Sequence, residues 1–497
     1  MNETVAILCD MHLSEDPGSF QSLWLRRAVE AIRRDGVRQV LVLGDVTEFG
    51  SLRAWELYCE ALAGLEHLEI IGNSDVRDAA TREELLLRTA EVEGRIGERR
   101  VIGLSTPDGE IGDADWARLS TARDGDVVLL HYYPEALREP DRTRFLELLS
   151  KRSLTVLHGH AHRDFDYVEG KSRVMGFRGL DPDKAGGDFP ALEYLTFGER
   201  VERREVVLPC SREAVLSVRE HLGVSCVDLF ADVSYALEHG IGLIELRCDN
   251  KSWAYDPSLT PLLEEWRRKT GGFLSVHMPN LSWREGAVSG VEKWNAVLDY
   301  ACLLHADHLT IHPPRRTSRL AVLEDRECFD ALLSHYVRAV QRVDRSVTVG
   351  IENLHWDWGE SDGEDRPFAL VPEEVTLWID AINDALGIPG RVGTVLDTGH
   401  ARNNGRLAKK YPLRRWYREM GSRAVAYHLH QSVKEESGRL KNHKPLACWF
   451  GPMINYTGFF DAWERGILAH APIFLEVKGW KNHETSLLGL DRVLEKL

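Results

Sequence analysis

The sequence is short of three things: basic charge, paired cysteines and long apolar runs. Lys and Arg number 62 against 78 Asp and Glu, a formal net charge of −16. Non-specific attachment to a phosphate polymer needs a basic surface, so this balance argues against it. It leaves open nucleic acid in a locally metal-rich cleft. The eight cysteines, Cys9, Cys59, Cys210, Cys226, Cys248, Cys302, Cys328 and Cys448, are scattered, and none forms a C-x-x-C pair. They read as ordinary buried thiols, against a zinc ribbon or a disulfide framework. The longest apolar runs, such as 40–43 and 127–130, are strand-sized and far short of a membrane span. The first ten residues carry no basic region leading into a long apolar run, and read as a strand instead of a signal peptide. The expectation is a cytoplasmic protein with no membrane partner. Its oligomeric state is not legible.

What is present is ordinary for a folded protein: 43% hydrophobic and 28% charged residues over 497 positions. That length allows two to four domains, or one small domain beside a barrel. The first 165 residues alternate strand-like runs (5–8, 40–43, 68–71, 127–130, 154–157) with helical stretches such as 23–32. Residues 166–207 are strand-rich, with runs at 173–177, 191–197 and 201–207. Pro209-Cys210-Ser211 then opens a helical segment, which places a domain boundary near 208. From there the alternation restarts with a longer period. Strand runs fall at 241–246, 273–277, 308–312, 347–351, 393–396, 424–428 and 473–477, with helical stretches such as 328–343 and 372–386 between them. About eight strand–helix units over about 290 residues fit a (β/α)₈ barrel. The acidic run at 360–365 reads as a solvated loop. The fold class is therefore α/β, with an α/β sandwich over 1–207 and a TIM barrel over 208–497.

The N-terminal strand runs end in polar residues: Asp10 and His12, Asp45, Asn73, His131, then His160 and His162. The C-terminal edge of an α/β sheet is where ligands bind. Asp, His and Asn are neutral or anionic donors for borderline to hard divalent ions. The blocks Asp10-x-His12, Gly44-Asp45, Gly72-Asn73-Ser74-Asp75, His131 and Gly159-His160-Ala161-His162 resemble the calcineurin-like metallophosphoesterase family. The resemblance covers roughly 1–200. It implies one metal on Asp10, His12, Asp45 and His162, and a second on Asp45, Asn73, His131 and His160, with Asp45 bridging. The two ions would be Mn, Fe, Zn or Ni. Such a pair clamps a phosphate and activates a bridging water. Asp45, His131 and His160 are the catalytic candidates of this half. Two positions depart from the pattern. Ser74 stands where the family usually has a His that protonates the leaving group, which reads as a narrowing of substrates. Glu48 replaces the more usual Asp of the second block.

The barrel half repeats the logic: His277, His312, Glu352, Asp397, His428 and Glu476 each close a strand run, and Asp397 leads into Thr398-Gly399-His400. Glu352, Asp397, His428 and Glu476 supply three carboxylates and one imidazole, a set for Mn, Zn, Mg or Fe. Ile351-Glu352-Asn353, Leu396-Asp397-Thr398-Gly399-His400, His428-Leu429-His430-Gln431 and Leu475-Glu476-Val477 resemble the xylose-isomerase-like barrel superfamily, over roughly 215–497. A weaker trace is His443 followed by residues 451–459, with Asn455 where Asp is usual. The superfamily includes sugar isomerases and epimerases, and the endonuclease IV type of apurinic-site nuclease. The nuclease branch holds three metals. His277, His312, His400 and His443 stand where four of its further ligands fall, but its Asp two residues before the last His is Lys441 here. An ammonium cannot ligate a cation. The barrel thus implies one to three divalent ions.

Three functions follow. The first is a bifunctional metal-dependent enzyme. Its N-terminal half hydrolyses a phosphodiester or phosphomonoester, and its barrel isomerises or epimerises a sugar or sugar phosphate, with Glu352 and Glu476 as base and acid. Its partner is a small phosphate ester. The second is a nucleic-acid processing enzyme, for which Arg315, Arg316 and Arg319 after His312 offer phosphate contacts. The third is a regulatory protein with one inactive site. Trp283, Trp356, Trp358 and Trp449 are offered as stacking platforms or, alternatively, as packing.

Overall fold

A computed structural model describes residues 3–90, 92–181, 191–207, 211–249, 253–356, 366–451 and 453–497. Pro209, Cys210, Trp358, the 360–365 run and Pro452 lie outside them. The chain divides into two compact units, Met1–Pro209 with Phe450–Thr457, and Cys210–Trp449 with Gly458–Leu497. Among the described residues no helix is long and apolar enough to cross a membrane, and no disulfide is formed. Cys9, Cys226, Cys248 and Cys328 are buried, whereas Cys59 and Cys448 are exposed.

The first unit contains two mixed sheets. One has the order Val201–Val207, Ala191–Phe197, Glu3–Leu8, Gln39–Leu43, Glu66–Ile70. The other runs Glu93–Ile96, Arg99–Gly103, Val127–Leu130, Thr155–His158, Ser172–Gly176, Phe165–Glu169. Strand alternation sends Val5, Ile7, Leu41 and Leu43 of the first sheet and Val101, Val127, Leu129 and Leu157 of the second into one core between them. The residues between these, such as Val128, Leu130 and Val156, pack under Trp116, Phe145 and Leu149 of the covering helices. Both faces are buried, so the central strands read as unbroken apolar runs. Glu93–Ile96, Arg99–Gly103 and Phe165–Glu169 do not read so, because each carries charge on a partly exposed face.

The second unit is a closed barrel of eight parallel strands: Leu222–Cys226, Leu243–Arg247, Phe273–His277, His308–Ile311, Thr348–Glu352, Val392–Asp397, Ala424–Leu429 and Ile473–Leu475. The first of these, LGVSC, forms no apolar run, because its Ser225 points inward to a polar layer. Outward residues such as Ile244, Val276, Leu309 and Ile351 are fully buried under the helices. Trp266, Trp294, Trp378, Trp416 and Trp463 belong to the same buried layer. Several helices start at side-chain caps: Asp228 accepts from the Ala231 amide, Asp325 from Cys328, and Asp397 from His400.

Candidate functional site

In the first unit the chain turns sharply where parallel strands end. Asp10, His12, Asp45, His160 and His162 have φ values from 48° to 62°, the left-handed region that side chains rarely adopt. The turns bring the side chains together because glycines stand beside them. A Cβ on Gly72 would lie 2.2 Å from Asp45 Oδ1, and one on Gly159 would lie 2.8 Å from Asp10 Oδ2. The His131 Nδ1–H donates to the Leu43 carbonyl at 2.8 Å, which leaves Nε2 as the ligating atom. That Nε2 is 3.5 Å from Asp45 Oδ1 and 3.2 Å from Asn73 Oδ1. His12 Nε2 lies 3.8 Å from Asp45 Oδ2, and His162 Nε2 lies 3.6 Å from Asp10 Oδ1. The rings of His12 and His162 stack 5.4 Å apart.

One of these spacings equals that of donors on a shared cation, and the other three are wider by a few tenths of an ångström. Donor atoms about 2.1 Å from a shared ion stand about 3.0–3.4 Å apart. Asp10, His12 and His162 form one group whose donor atoms all lie within 4.8 Å of one another, and Asp10, Asp45 and His131 form a second. Asp10 joins both groups, while Asp45 touches His12 and His131. His160 is in neither group, but its ring lies 5.1 Å from that of His131. Its backbone N–H donates to the two Asp10 oxygens at 3.2 and 3.1 Å, and its ring packs 4.1 Å from that of Tyr132.

Ser74 is fully buried and donates to Asp45 twice, through its amide at 2.7 Å and its hydroxyl at 3.0 Å. Asp75 accepts from the amides of Gly72 and Thr47 and from the Thr47 hydroxyl, tying two of the ligand loops together. Burial pushes the Asp10 carboxyl up to about 7, against the pull of His131. At Asp45 burial is again the largest influence, but the His131 charge and hydrogen bond outweigh it and hold the carboxyl below the usual range. Two carboxylates at one sheet edge are thus pulled apart in basicity.

In the barrel His277, Glu352, Asp397 and His428 sit within the strand ends, His312 and Glu476 just past theirs, His400 on the helix Thr398–Arg402 and His443 on the hairpin strand Leu440–Lys444. Glu352 is the centre: Oε2 is 3.0 Å from His277 Nε2 and 3.1 Å from His312 Nε2. Its Oε1 is 3.1 Å from His400 Nδ1 and 3.3 Å from His428 Nδ1. His428 Nδ1 is also 3.4 Å from Glu476 Oε2. Glu352, Asp397 and His428 are fully buried, and Glu476 nearly so. Glu352 Oε1, Asp397 Oδ2, His428 Nδ1 and Glu476 Oε2 nevertheless have no aligned hydrogen-bond partner. Leaving such atoms unpaired in a dry interior is costly. A divalent ion among these four would satisfy them, so the donor set fits the metal that the barrel type implies. His277, His312 and Glu352 form a further group of donors within 4.8 Å, as do Glu352, Asp397, His400 and Glu476.

His277, His312 and His428 are aimed by the nitrogen that faces away from Glu352, whereas the His400 Nδ1 meets both Glu352 and a backbone carbonyl. His277 bonds the Met278 carbonyl at 3.2 Å, His312 the Asn280 amide oxygen at 2.6 Å, and His400 the Asn353 carbonyl at 3.0 Å. His428 Nε2 meets Glu245 at 2.9 Å. Glu245 is fully buried inside the barrel and accepts from Ser225, Ser275 and Thr310 at 3.1, 2.8 and 2.6 Å. Burial opposes its ionisation, but the His428 charge holds it down at about 2. Sequence reading passes over Glu245 because it lies within a strand, two residues short of the end. It also passes over Arg247, whose guanidinium pairs with Glu476 and holds both Asp249 oxygens at 2.9 Å. At Glu476 burial raises the carboxyl, but the Arg247 charge outweighs it and holds the group well below the usual range.

Other expected residues divide. Trp449 is packing, with its indole N–H on the Ser486 carbonyl, whereas Trp356 lines a cavity of about 850 Å³ beside His443. Arg319 is held by Glu374 at 3.1 Å. The Lys441 side chain is 60% exposed and 3.9 Å from Glu435.

A family model described as a xylose isomerase-like TIM barrel matches residues 233–488. No curated protein matches the chain. Similar solved structures include a D-tagatose 3-epimerase-like protein, 18% identical, covering 56% of this chain and 97% of the other, with a TM-score of 0.40. A D-allulose 3-epimerase from Methylomonas sp. is 15% identical over 56% of this chain and 96% of its own, with a TM-score of 0.36. A dimetal phosphatase from Danio rerio is 14% identical over 42% of this chain and 99% of its own, with a TM-score of 0.30. The family match spans just over half of the 497 residues and takes in seven of the eight barrel strands; the chain belongs to the xylose isomerase-like TIM barrel family.

Proposed function

We propose that the protein is a bifunctional metal-dependent enzyme, with a dinuclear phosphoesterase site in its first unit and a sugar or sugar-phosphate isomerase or epimerase site in its barrel. The observation that carries the barrel half is the clustering of four buried donor atoms, from Glu352, Asp397, His428 and Glu476, that make no aligned hydrogen bond. A divalent ion held there would polarise a substrate's carbonyl and hydroxyl oxygens. Glu352 and Glu476, which flank His428 at 3.3 and 3.4 Å, are both kept ionised and can accept a proton from a carbon beside that carbonyl. In the first unit, Asp10, His12 and His162 would hold one ion and Asp45, Asn73 and His131 a second, with His160 beside them to contact phosphate.

Substrate charge has its own support. In a chain of net charge −16, the cavity beside His443 is lined by Arg402, Arg439, Lys441, Lys444 and Lys478 against one carboxylate, Glu435. Such a lining favours an anionic, phosphate-bearing ligand. It also gives Lys441 work away from any metal. The second reading, a nuclease, draws on the His277–His312–Glu352 group, which a single-metal isomerase does not need.

Assays of an activated phosphodiester, a sugar phosphate and apurinic-site DNA on Asp45→Asn and Glu352→Gln proteins decide between them. The expected result is loss of phosphodiester hydrolysis in Asp45→Asn alone. Sugar-phosphate turnover should fall about 10²–10⁴-fold in Glu352→Gln alone. DNA cleavage that vanishes with Glu352→Gln and survives Asp45→Asn selects the nuclease. Unchanged turnover in both variants discards the proposal.

A further inference from the structure

The loops that follow the first two barrel strands, Leu222–Cys226 and Leu243–Arg247, build a second cavity at the barrel mouth. Its volume is about 360 Å³, within the range of small-ligand pockets, and Phe230, Trp253, Tyr255 and Tyr300 line it. A smaller cavity of about 240 Å³ reaches Glu476, and Arg247 lines both. We infer that the aromatic cavity is a binding subsite for a neutral sugar ring. Its consequence for catalysis rests on the proposed barrel activity: the substrate carries a second ring beside the reacting one.

The rings are set as a bowl. Centroids of Trp253 and Tyr300 are 5.8 Å apart with planes at 51°, and those of Tyr255 and Tyr300 are 5.3 Å apart at 80°. A flat base slides into a parallel slot, whereas this shape fits a puckered ring with C–H faces. Tyr300 is buried, but Tyr255 is 52% exposed and Phe230 is 41% exposed. Aromatic area left open at a cavity mouth is area that a ligand can cover. Lys293 steadies the indole, with its ammonium 6.0 Å from the Trp253 ring centroid and 3.5 Å from the Asp249 carbonyl.

The polar groups match the same ligand. The Trp253 Nε1–H is buried and has no hydrogen-bond partner. A buried donor without an acceptor is costly, and a ring or hydroxyl oxygen in the cavity would supply one. Asp228 and Asp256 stand on the same lining. Asp228 Oδ1 accepts from the Ala231 amide at 3.2 Å, and Asp256 Oδ1 from the Ser258 amide at 2.9 Å. The second oxygen of each carboxylate remains to accept from sugar hydroxyls. Their negative charge disfavours phosphate here, the reverse of the cationic cavity beside His443.

The test is titration of the full chain with methyl glucoside, methyl galactoside and methyl mannoside. It is read at the Trp253 indole N–H resonance, which is assigned by its disappearance in Trp253→Phe. A saturable displacement by at least one glycoside is expected, and it should persist in Glu352→Gln, because the subsite does not use the barrel floor. Tyr255→Ala, at an exposed position, should weaken binding about 2–10-fold. Trp253→Phe keeps an aromatic face but loses the donor, and ligand-observed saturation transfer should show a further loss of about 2–10-fold relative to the unaltered chain. Absence of displacement by all three glycosides overturns the inference. So does displacement by adenine or inorganic phosphate at a lower concentration than by any glycoside, or unchanged affinity in both variants. Binding is read without turnover. Loss of the proposed isomerase activity would leave this subsite standing, and failure to bind would leave that activity standing on single-ring substrates.

Discussion

The two candidate sites use the same residue types but hold them differently. In the barrel, His277, Glu352, Asp397 and His428 lie inside parallel strands, and the ladder of backbone hydrogen bonds fixes them. In the first unit, Asp10, His12, Asp45, His160 and His162 lie beyond the strands, each in a left-handed turn. Left-handed backbone costs about 1–2 kcal/mol per non-glycine residue. The barrel therefore spends little backbone strain, and its difficulty is burial of charge. The first unit buries less of its set, and its difficulty is conformation. Glycine makes room for side chains in both sites: Gly72 and Gly159 for carboxylates and Gly44 for the His131 imidazole in the first unit, Gly399 for the His430 imidazole in the barrel.

The sharpest way to break this comparison is Gly72→Ala. The new methyl would meet Asp45 at both Oδ1 and the backbone nitrogen, 2.2 and 2.4 Å away, and the backbone cannot swing aside. Loss of metal from the first unit is expected, with a destabilisation of about 1–3 kcal/mol. Elemental analysis and thermal melting measure both. Barrel metal should be retained, and its loss would show that the two sites are not held independently.

A smaller effect is expected from Glu245→Gln, which removes the charge behind His428 while keeping its shape. Orienting partners of this kind are worth about 10–100-fold in metal affinity. Competition titration with a chelator would measure the drop, and an unchanged affinity would make Glu245 a packing residue only.

The smallest change expected is Ser74→Ala. It deletes one hydrogen bond to the Asp45 carboxylate while the Ser74 amide keeps the other, so metal should stay bound and phosphodiester turnover should change less than about tenfold. A fall as deep as that of Asp45→Asn would make Ser74 a participant in proton transfer and reverse its reading as a substrate-narrowing position.

Much of this was legible in the linear order of residues. Strands buried on both faces announce themselves as apolar runs, and the polar residue after each run marks the edge where ligands bind. Residues 127–130 and 273–277 were visible for that reason. Glu93–Ile96 and Arg99–Gly103 were not, because half-exposed strands keep their charge. Leu222–Cys226 was hidden because it gives a serine to the barrel interior. Glu245 and Arg247 were hidden because only closure of the barrel shows which strand residues face inward and which partner they meet.

The sequence by itself determined the class of each half and most of the candidate ligands, since both follow from local pattern and from chemistry carried by single side chains. Only the tertiary structure decided how those ligands group. Asp10 lies within two groups of neighbouring donor atoms, the His160 ring packs beside that of His131, and Glu245 meets His428. Grouping depends on distances of a few ångströms between residues as far apart in sequence as Glu245 and His428. Those distances are fixed by barrel register and turn conformation, which no short stretch of sequence contains.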